Sequence, residues 1–199
     1  TIKRNYSEAL FSLSIVYLTQ QNFLKGWDLY EARFDVAGVK YKRARDQFSL
    51  DTIGPKNILL RLEQGIGDQI LFGTMFRDAF ETQNTFIVSI DKRLLPIFNR
   101  SFTQYNNVEF ISKDDEVNES LFDMQLAIGD LGKFFRKKIQ DFNRHPKGYL
   151  INDGSQRNSL RNKLFCPTSK ICGIAWKSQK KDIGSAKSVN LSDLIPILS

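Results

Sequence analysis

Apolar residues near the start of the chain recur every three or four positions. Tyr6, Ala9, Leu10, Leu13, Val16 and Tyr17 fall at that spacing and predict an amphipathic helix over residues 6–20. Gln20, Gln21 and Asn22 interrupt it. Phe23, Trp27, Tyr30 and Phe34 then mark one face of a second helix over residues 23–34. Two helices joined by so short a break form an antiparallel hairpin. A single hairpin cannot bury its apolar face alone, so it must cap the domain that follows or end a row of similar repeats.

From residue 56 the pattern changes. Ile58, Leu59 and Leu60 are continuously apolar within a strand from Asn57 to Leu62, as strands buried on both faces are. After a glycine-containing turn, Gln69 to Glu81 reads as a helix burying Ile70, Leu71, Met75, Phe76 and Ala79. Thr85 to Ile90 is a second strand. Arg93 to Phe102 is a helix that tolerates Pro96 in its first turn. Val108 to Ile111 and Met124 to Ile128 are the third and fourth strands, with a short helix near Leu131 to Phe135. This alternation predicts an α/β fold with a parallel, doubly wound, Rossmann-like sheet.

Asn152 to Phe165 reads as a linker, with a turn and cap at Asp153-Gly154-Ser155 and a short helix carrying Arg157, Leu160, Arg161 and Leu164. Pro167 ends that helix, which puts a boundary near residue 166. The expected organisation is a helical hairpin over 1–35, a Rossmann-like domain over 56–165, and the start of a second such domain over 166–199. The chain begins at Thr1 rather than Met and stops just after a helical pattern, so it reads as a piece of a longer protein.

Composition narrows the classes. The chain has 41% hydrophobic and 26% charged residues, which excludes disorder as its general state. No apolar run approaches the ~20 residues needed to span a bilayer, and the first thirty-odd residues, with Glu8, Asp28 and Glu31, do not read as a signal peptide. Cys166 and Cys172 are too few for a disulfide framework or a zinc site and are expected to be buried free thiols. A lone histidine, His145, is expected at the surface and makes no metal site or Ser-His-Asp constellation. The net charge of +7 favours anionic partners. The clusters at Arg136-Lys137-Lys138 and from Lys177 to Lys187 read as solvated faces. Without interleaved basic and aromatic patches, nucleic-acid binding is not expected.

The turn after the first strand is the natural place for chemistry, because ligands of such sheets sit beyond the carboxyl ends of the strands. It holds Gln64, Gly65, Gly67, Asp68 and Gln69. The glycines would let a ligand approach the backbone and permit positive φ. Asp68 would either cap the next helix or act chemically. Gly65-x-Gly67 also matches the first two glycines of a dinucleotide fingerprint, with Asp91 as a possible ribose partner. The third glycine is replaced by Ile70, which weakens that alternative.

Three segments carry a family resemblance. Ser14, Tyr17, Gly26 and Tyr30 fit the small-and-aromatic spacing of a tetratricopeptide repeat, and Gly26-Trp27-Asp28-Leu29-Tyr30-Glu31-Ala32-Arg33 ends it. Leu62-Glu63-Gln64-Gly65-Ile66-Gly67-Asp68-Gln69-Ile70-Leu71-Phe72 follows. Lys170 to Lys177 and Ser188 to Leu194 complete the set. In this order the segments resemble tetratricopeptide-linked relatives of the heptosyltransferases, glycosyltransferases of family 9 type with two Rossmann-like domains (GT-B).

That resemblance implies transfer of a sugar from a nucleotide-sugar donor to a hydroxyl on a glycan, a lipid-linked glycan or a protein. It implies an acceptor-side first domain facing an interdomain cleft, and a donor-side second domain of which this chain holds only the beginning. Asp68 matches the family's proposed general base, with Gln64, Gly65, Gly67 and Gln69 as the acceptor-side loop. Lys177, Ser178, Lys187 and Ser188 are candidates for the donor diphosphate, flanking a loop with Lys180, Lys181, Asp182 and Gly184. No metal or cofactor is expected, and the cysteine pattern suggests a cytoplasmic place. A competing class is a non-catalytic scaffold that binds a protein partner through the hairpin and keeps a degenerate transferase domain.

Overall fold

A computed structural model describes residues 6–36, 55–145, 147–164, 170, 172–178 and 184–198. The chain forms two compact units, residues 1–152 and 153–199. The first holds the helical hairpin and the sheet together. Its division from the second falls at the start of the stretch read as a linker.

Helix α1 runs Ser7–Thr19 and α2 Phe23–Tyr30, and the chain continues as a 3₁₀ helix over Glu31–Asp35. Gln21 makes the tight turn between them with φ 61°. Gly26 is where the two helices touch: a Cβ there would lie 2.6 Å from Cδ2 of Leu18, so only glycine allows this approach. Ser14, Gly26 and Tyr30 are all buried, as the small-and-aromatic spacing requires.

The inward face of α1 differs from the expected one. Ser14 is its buried residue, and Phe11 and Leu18 pack on the core, while Tyr6, Leu13 and Val16 are exposed. The helix is apolar on more than one side, so spacing alone did not choose between faces. On α2 the expected stripe holds, with Phe23 and Tyr30 buried and Trp27 and Phe34 half-buried.

The sheet has four parallel strands in the order β3-β2-β1-β4: β1 Asn57–Arg61, β2 Thr85–Ile90, β3 Val108–Ser112 and β4 Met124–Ala127. All four lie where the sequence pattern places them. The continuous run Ile58-Leu59-Leu60 is fully buried because β1 is central, with Leu60 opposite Val88 on one side and Leu126 on the other. The fold is α/β and Rossmann-like, and its strand order reverses between β1 and β4.

The helix expected over Gln69 to Glu81 is two helices, α3 Ile66–Gly73 and α4 Phe76–Phe80. The break follows Gly73, whose Cβ would lie 2.6 Å from Oη of Tyr149. The Tyr149 hydroxyl donates to the Ile70 carbonyl at 2.6 Å, which pins that close approach. Helix α5 is Leu95–Ser101, with Pro96 in its first turn, and α6 is Leu131–Phe135. Phe76, Phe80, Phe98, Phe102 and Phe110 pack as a ring cluster beside the sheet, Phe76 meeting Phe98 edge-on at 5.8 Å.

In the second unit, α7 spans Gly154–Lys163 and is capped by Asp153, whose Oδ1 accepts from the Gln156 N–H at 3.0 Å. Residues 172–178 carry no assigned strand, although the resemblance at Lys170 to Lys177 implies the strand that opens a second Rossmann-like domain. A 3₁₀ turn over Leu191–Leu194 leads into α8, Ile195–Leu198. Phe165, Cys166 and Pro167 lie outside the described residues. Cys172 is free and exposed rather than buried.

Candidate functional site

The hairpin is docked where the strand order reverses. Glu63 follows β1 and Asp130 follows β4, and the guanidinium of Arg33 sits between them. Its Nε donates to Glu63 Oε2 at 2.7 Å, and its Nη2 donates to Glu63 Oε1 at 3.0 Å and Asp130 Oδ1 at 2.6 Å. Glu63 Oε1 also accepts the Gly129 N–H at 2.7 Å, and Asp130 Oδ2 accepts the Ala127 N–H at 3.2 Å. The Arg33 guanidinium lies over the rings of Tyr30 and Phe34, at 4.3 and 4.1 Å. Burial works against its charge, but Glu63 and Asp130 outweigh burial and raise its pKa. At Asp130 burial wins and the carboxyl pKa is raised, although Arg33 opposes it.

The crevice at the switch point is therefore filled by the protein's own arginine. The turn that continues from Glu63 is exposed at Gln64 and Gly65. Gln64 is exposed and left-handed, with φ 61°, and its Nε2 donates to the Tyr30 hydroxyl at 3.0 Å. The positive φ expected of a glycine in this turn belongs to Gln64. Gly65 is extended, with φ −90° and ψ 177°, and its N–H donates to Asp68 Oδ2 at 3.0 Å. A Cβ on Gly67 would meet nothing within 4 Å, so the space over the start of α3 is open. Asp68 is half-buried in the first turn of α3. Among the described residues its Oδ1 has no hydrogen-bond partner. One oxygen thus caps the start of α3, and the cap leaves the other unused.

Gln69 differs from its neighbours. It is 2% exposed, and its Oε1 accepts the Asp91 N–H at 3.0 Å, tying α3 to the end of β2. The structure brings Gln64, Gly65, Gly67 and Asp68 to one exposed turn and places the Gln69 side chain beneath it.

The same geometry disfavours a dinucleotide. Asp91, the would-be ribose partner, is gripped by Arg93 through Nε at 2.9 Å and Nη2 at 3.0 Å. Hydrogen bonds from the Arg93 side chain and backbone hold its carboxyl far below the usual carboxylate range. Asp68 already supplies negative charge at the helix start, where a pyrophosphate would need to sit.

In the second unit, Ser178 and Ser188 meet. The Ser178 N–H donates to Ser188 Oγ at 2.9 Å, and that hydroxyl donates to the Gly184 carbonyl at 2.6 Å. The Val189 N–H donates to the Trp176 carbonyl at 3.0 Å, bringing the two flanks of the loop together. Lys177 and Lys187 are exposed on those flanks. Lys180, Lys181 and Asp182 lie outside the described residues.

A second buried charge cluster went unseen in the sequence. Asp78 accepts from Arg136 Nη1 at 2.8 Å, with Arg144 Nη1 at 3.2 Å and His145 Nε2 at 3.6 Å from its other oxygen. Arg136, expected as part of a solvated patch, is buried, and His145 is half-buried rather than at the open surface. The Arg136 carbonyl accepts the Trp27 indole N–H at 2.7 Å, a second tie between hairpin and sheet. The Trp27 ring occupies the space a Cβ on Gly132 would need. The signal for Arg33, Trp27 and Tyr30 was their shared eight-residue motif, but nothing local named Glu63, Asp130 or Arg136 as their partners.

Among the described residues, no group of three or more His, Cys, Asp or Glu could hold a metal ion. No helix there is long and apolar enough to cross a membrane. No family model and no solved structure matches the chain. The chain is similar to Protein FlbA of Caulobacter vibrioides, with 25% identity over 197 residues that cover 89% of this chain and 32% of that protein. It thus spans about a third of the length of the curated relative it matches.

Proposed function

We propose that the chain is part of a glycosyltransferase that moves a sugar from a nucleotide-sugar donor to an acceptor hydroxyl, with Asp68 as general base. The observation that carries this reading is the half-buried Asp68 carboxylate beyond the carboxyl end of β1. One oxygen is fixed by the Gly65 N–H, and open space lies over Gly67. A base needs a carboxylate that is oriented yet reachable, and this turn supplies both.

In the reaction, Asp68 takes the acceptor's hydroxyl proton as that oxygen bonds to the anomeric carbon. The bond from that carbon to the diphosphate breaks, and the nucleoside diphosphate leaves with the electron pair. Lys177 and Lys187, with backbone near Ser178 and Ser188, are assigned to the departing diphosphate. The acceptor is a glycan, a lipid-linked glycan or a protein. The reading requires no metal or cofactor and places the reaction in the cytoplasm.

The test is sugar transfer by the full-length protein across a panel of nucleotide sugars. Asp68→Asn should lower kcat by about 10²–10⁴ while circular dichroism and Tm stay near wild type. Full activity in that variant removes Asp68 from the chemistry. Lys177→Ala should raise the donor KM or lower kcat with stability unchanged, and a change in neither removes Lys177 from the site.

Two observations favour a second reading, a non-catalytic scaffold. Arg33 fills the switch point, and α1 leaves Tyr6, Leu13 and Val16 exposed for a protein partner. Capture of a defined partner through that face, with no nucleotide-sugar binding by the full-length protein, would select it.

A further inference from the structure

The hairpin's hold on the turn reaches Asp68 through an unbroken series of contacts. Tyr30 is 6% exposed, and its ring is fixed by Phe11 at 5.7 Å and by Trp27, edge-on, at 5.5 Å. Its hydroxyl accepts from Gln64 Nε2 at 3.0 Å, and three residues later Arg33 clamps Glu63. Glu63 and Gln64 are thus both held from the hairpin. Gln64 needs holding, because φ 61° is a conformation that side chains other than glycine adopt at a cost. The direction of its peptide to Gly65 decides where the Gly65 N–H points, and that N–H fixes Asp68 Oδ2.

We propose that Tyr30 is a positioning residue for Asp68: its hydroxyl keeps Gln64 left-handed, and so aims the Gly65 N–H that orients the carboxylate. The role rests on the reading of Asp68 as the base. It makes the helical hairpin part of the transfer apparatus rather than a separate binding module. Arg33 supports the same turn one residue earlier, but its removal would strip the charge partner from buried acids, so Tyr30 is the cleaner probe. Tyr30→Phe keeps the ring and its packing and removes one oxygen.

In the full-length protein, Tyr30→Phe should lower kcat about three- to tenfold, the worth of one hydrogen bond. The KM values for donor and acceptor should stay within twofold, and Tm should hardly move. Gln64→Gly should restore the turn itself, since glycine takes φ near +61° unaided. The double variant Tyr30→Phe/Gln64→Gly is read by Gly65 exchange rather than by kcat, because Gln64 itself belongs to the acceptor-side loop. A residue that merely stabilises the fold would shift Tm and would not be rescued at Gln64.

Amide hydrogen exchange supplies a readout independent of activity. Exchange at Gly65 should quicken several-fold in Tyr30→Phe and slow again in the double variant. Unchanged Gly65 exchange together with unchanged kcat overturns the positioning role. If Gly65 exchange follows this pattern but Asp68→Asn transfers sugar normally, the coupling stands and the base assignment is what fails.

Discussion

Two buried charge clusters brace the first unit, one between hairpin and sheet and one beside α4, and they are built in opposite senses. At the switch point one cation, Arg33, serves two acids, Glu63 and Asp130. Near α4 one acid, Asp78, faces Arg136, Arg144 and His145. In the first, both Glu63 oxygens and both Asp130 oxygens accept hydrogen bonds. In the second, Asp78 Oδ1 and His145 Nε2 are buried without a hydrogen bond, although cations lie near. A charge in low dielectric is tolerable only when its lone pairs and protons are used. The switch-point cluster therefore defines geometry, and the Asp78 cluster chiefly neutralises charge.

Removing Arg33 should be the most damaging change to this frame. Arg33→Met leaves two buried carboxylates without their cation, a loss of about 3–5 kcal/mol. Urea unfolding of the purified protein measures it. A loss below about 1 kcal/mol would mean that the cluster behaves like an exposed ion pair and does not hold the hairpin.

Asp78→Asn should cost less, about 1–3 kcal/mol. Arg136 keeps the Phe135 and Thr74 carbonyls as acceptors at 2.7 and 3.2 Å, and Arg144 is largely solvated. If Asp78→Asn proves the costlier of the two, the contrast between satisfied and unsatisfied clusters is wrong, and charge balance rather than hydrogen bonding governs both.

The strands were legible because β1 is buried on both faces and its apolar run is continuous, and because each later strand is bounded by polar turns. The inward face of α1 was not legible, because the helix is apolar on several sides and only tertiary contact selects Phe11 and Leu18. The candidate turn was found from its glycines, yet the left-handed residue is Gln64, stabilised by Tyr30 thirty-four positions away. Gln69 looked like a loop residue, and only its bond to the Asp91 N–H shows that it is buried support. Glu63 and Asp130 pair with Arg33 across thirty and ninety-seven positions, separations at which no local pattern exists. The sequence could name the residues of the motif but not which of them meet.

Asp130 tests the excess of acid at the switch point. Burial raises its pKa above the ordinary 3.8 despite Arg33. An acid raised by folding holds its proton longer in the folded chain. Wild-type stability contributed by this group is therefore greatest at or below pH 3.8 and falls as pH rises through the folded pKa. Asp130→Asn cannot titrate, so its shortfall against wild type should shrink as pH rises from about 3.8. Paired unfolding curves at pH 4 and pH 7 measure this. A widening gap would show that the carboxylate, not the acid, is the favoured form in the cluster.

The smallest effect is expected at Asp91 and Arg93, the pair closest in sequence and most open to water on its basic side. Arg93 depresses the Asp91 pKa through its side-chain hydrogen bonds. The sign is opposite to that at Asp130: a depressed acid contributes stability above its unfolded pKa of 3.8 and loses it as pH falls through the folded value. Arg93→Gln should lower Tm slightly at neutral pH, less than any change above, because solvent screens the Arg93 charge. That difference should close progressively below pH 3.8. Two acids at the ends of one sheet would then answer pH in opposite directions, Asp130 because folding takes its water away and Asp91 because folding brings it a cation. A Tm difference that stays constant across the acid range would show that Arg93 acts by packing alone, and would leave the contrast resting on Asp130.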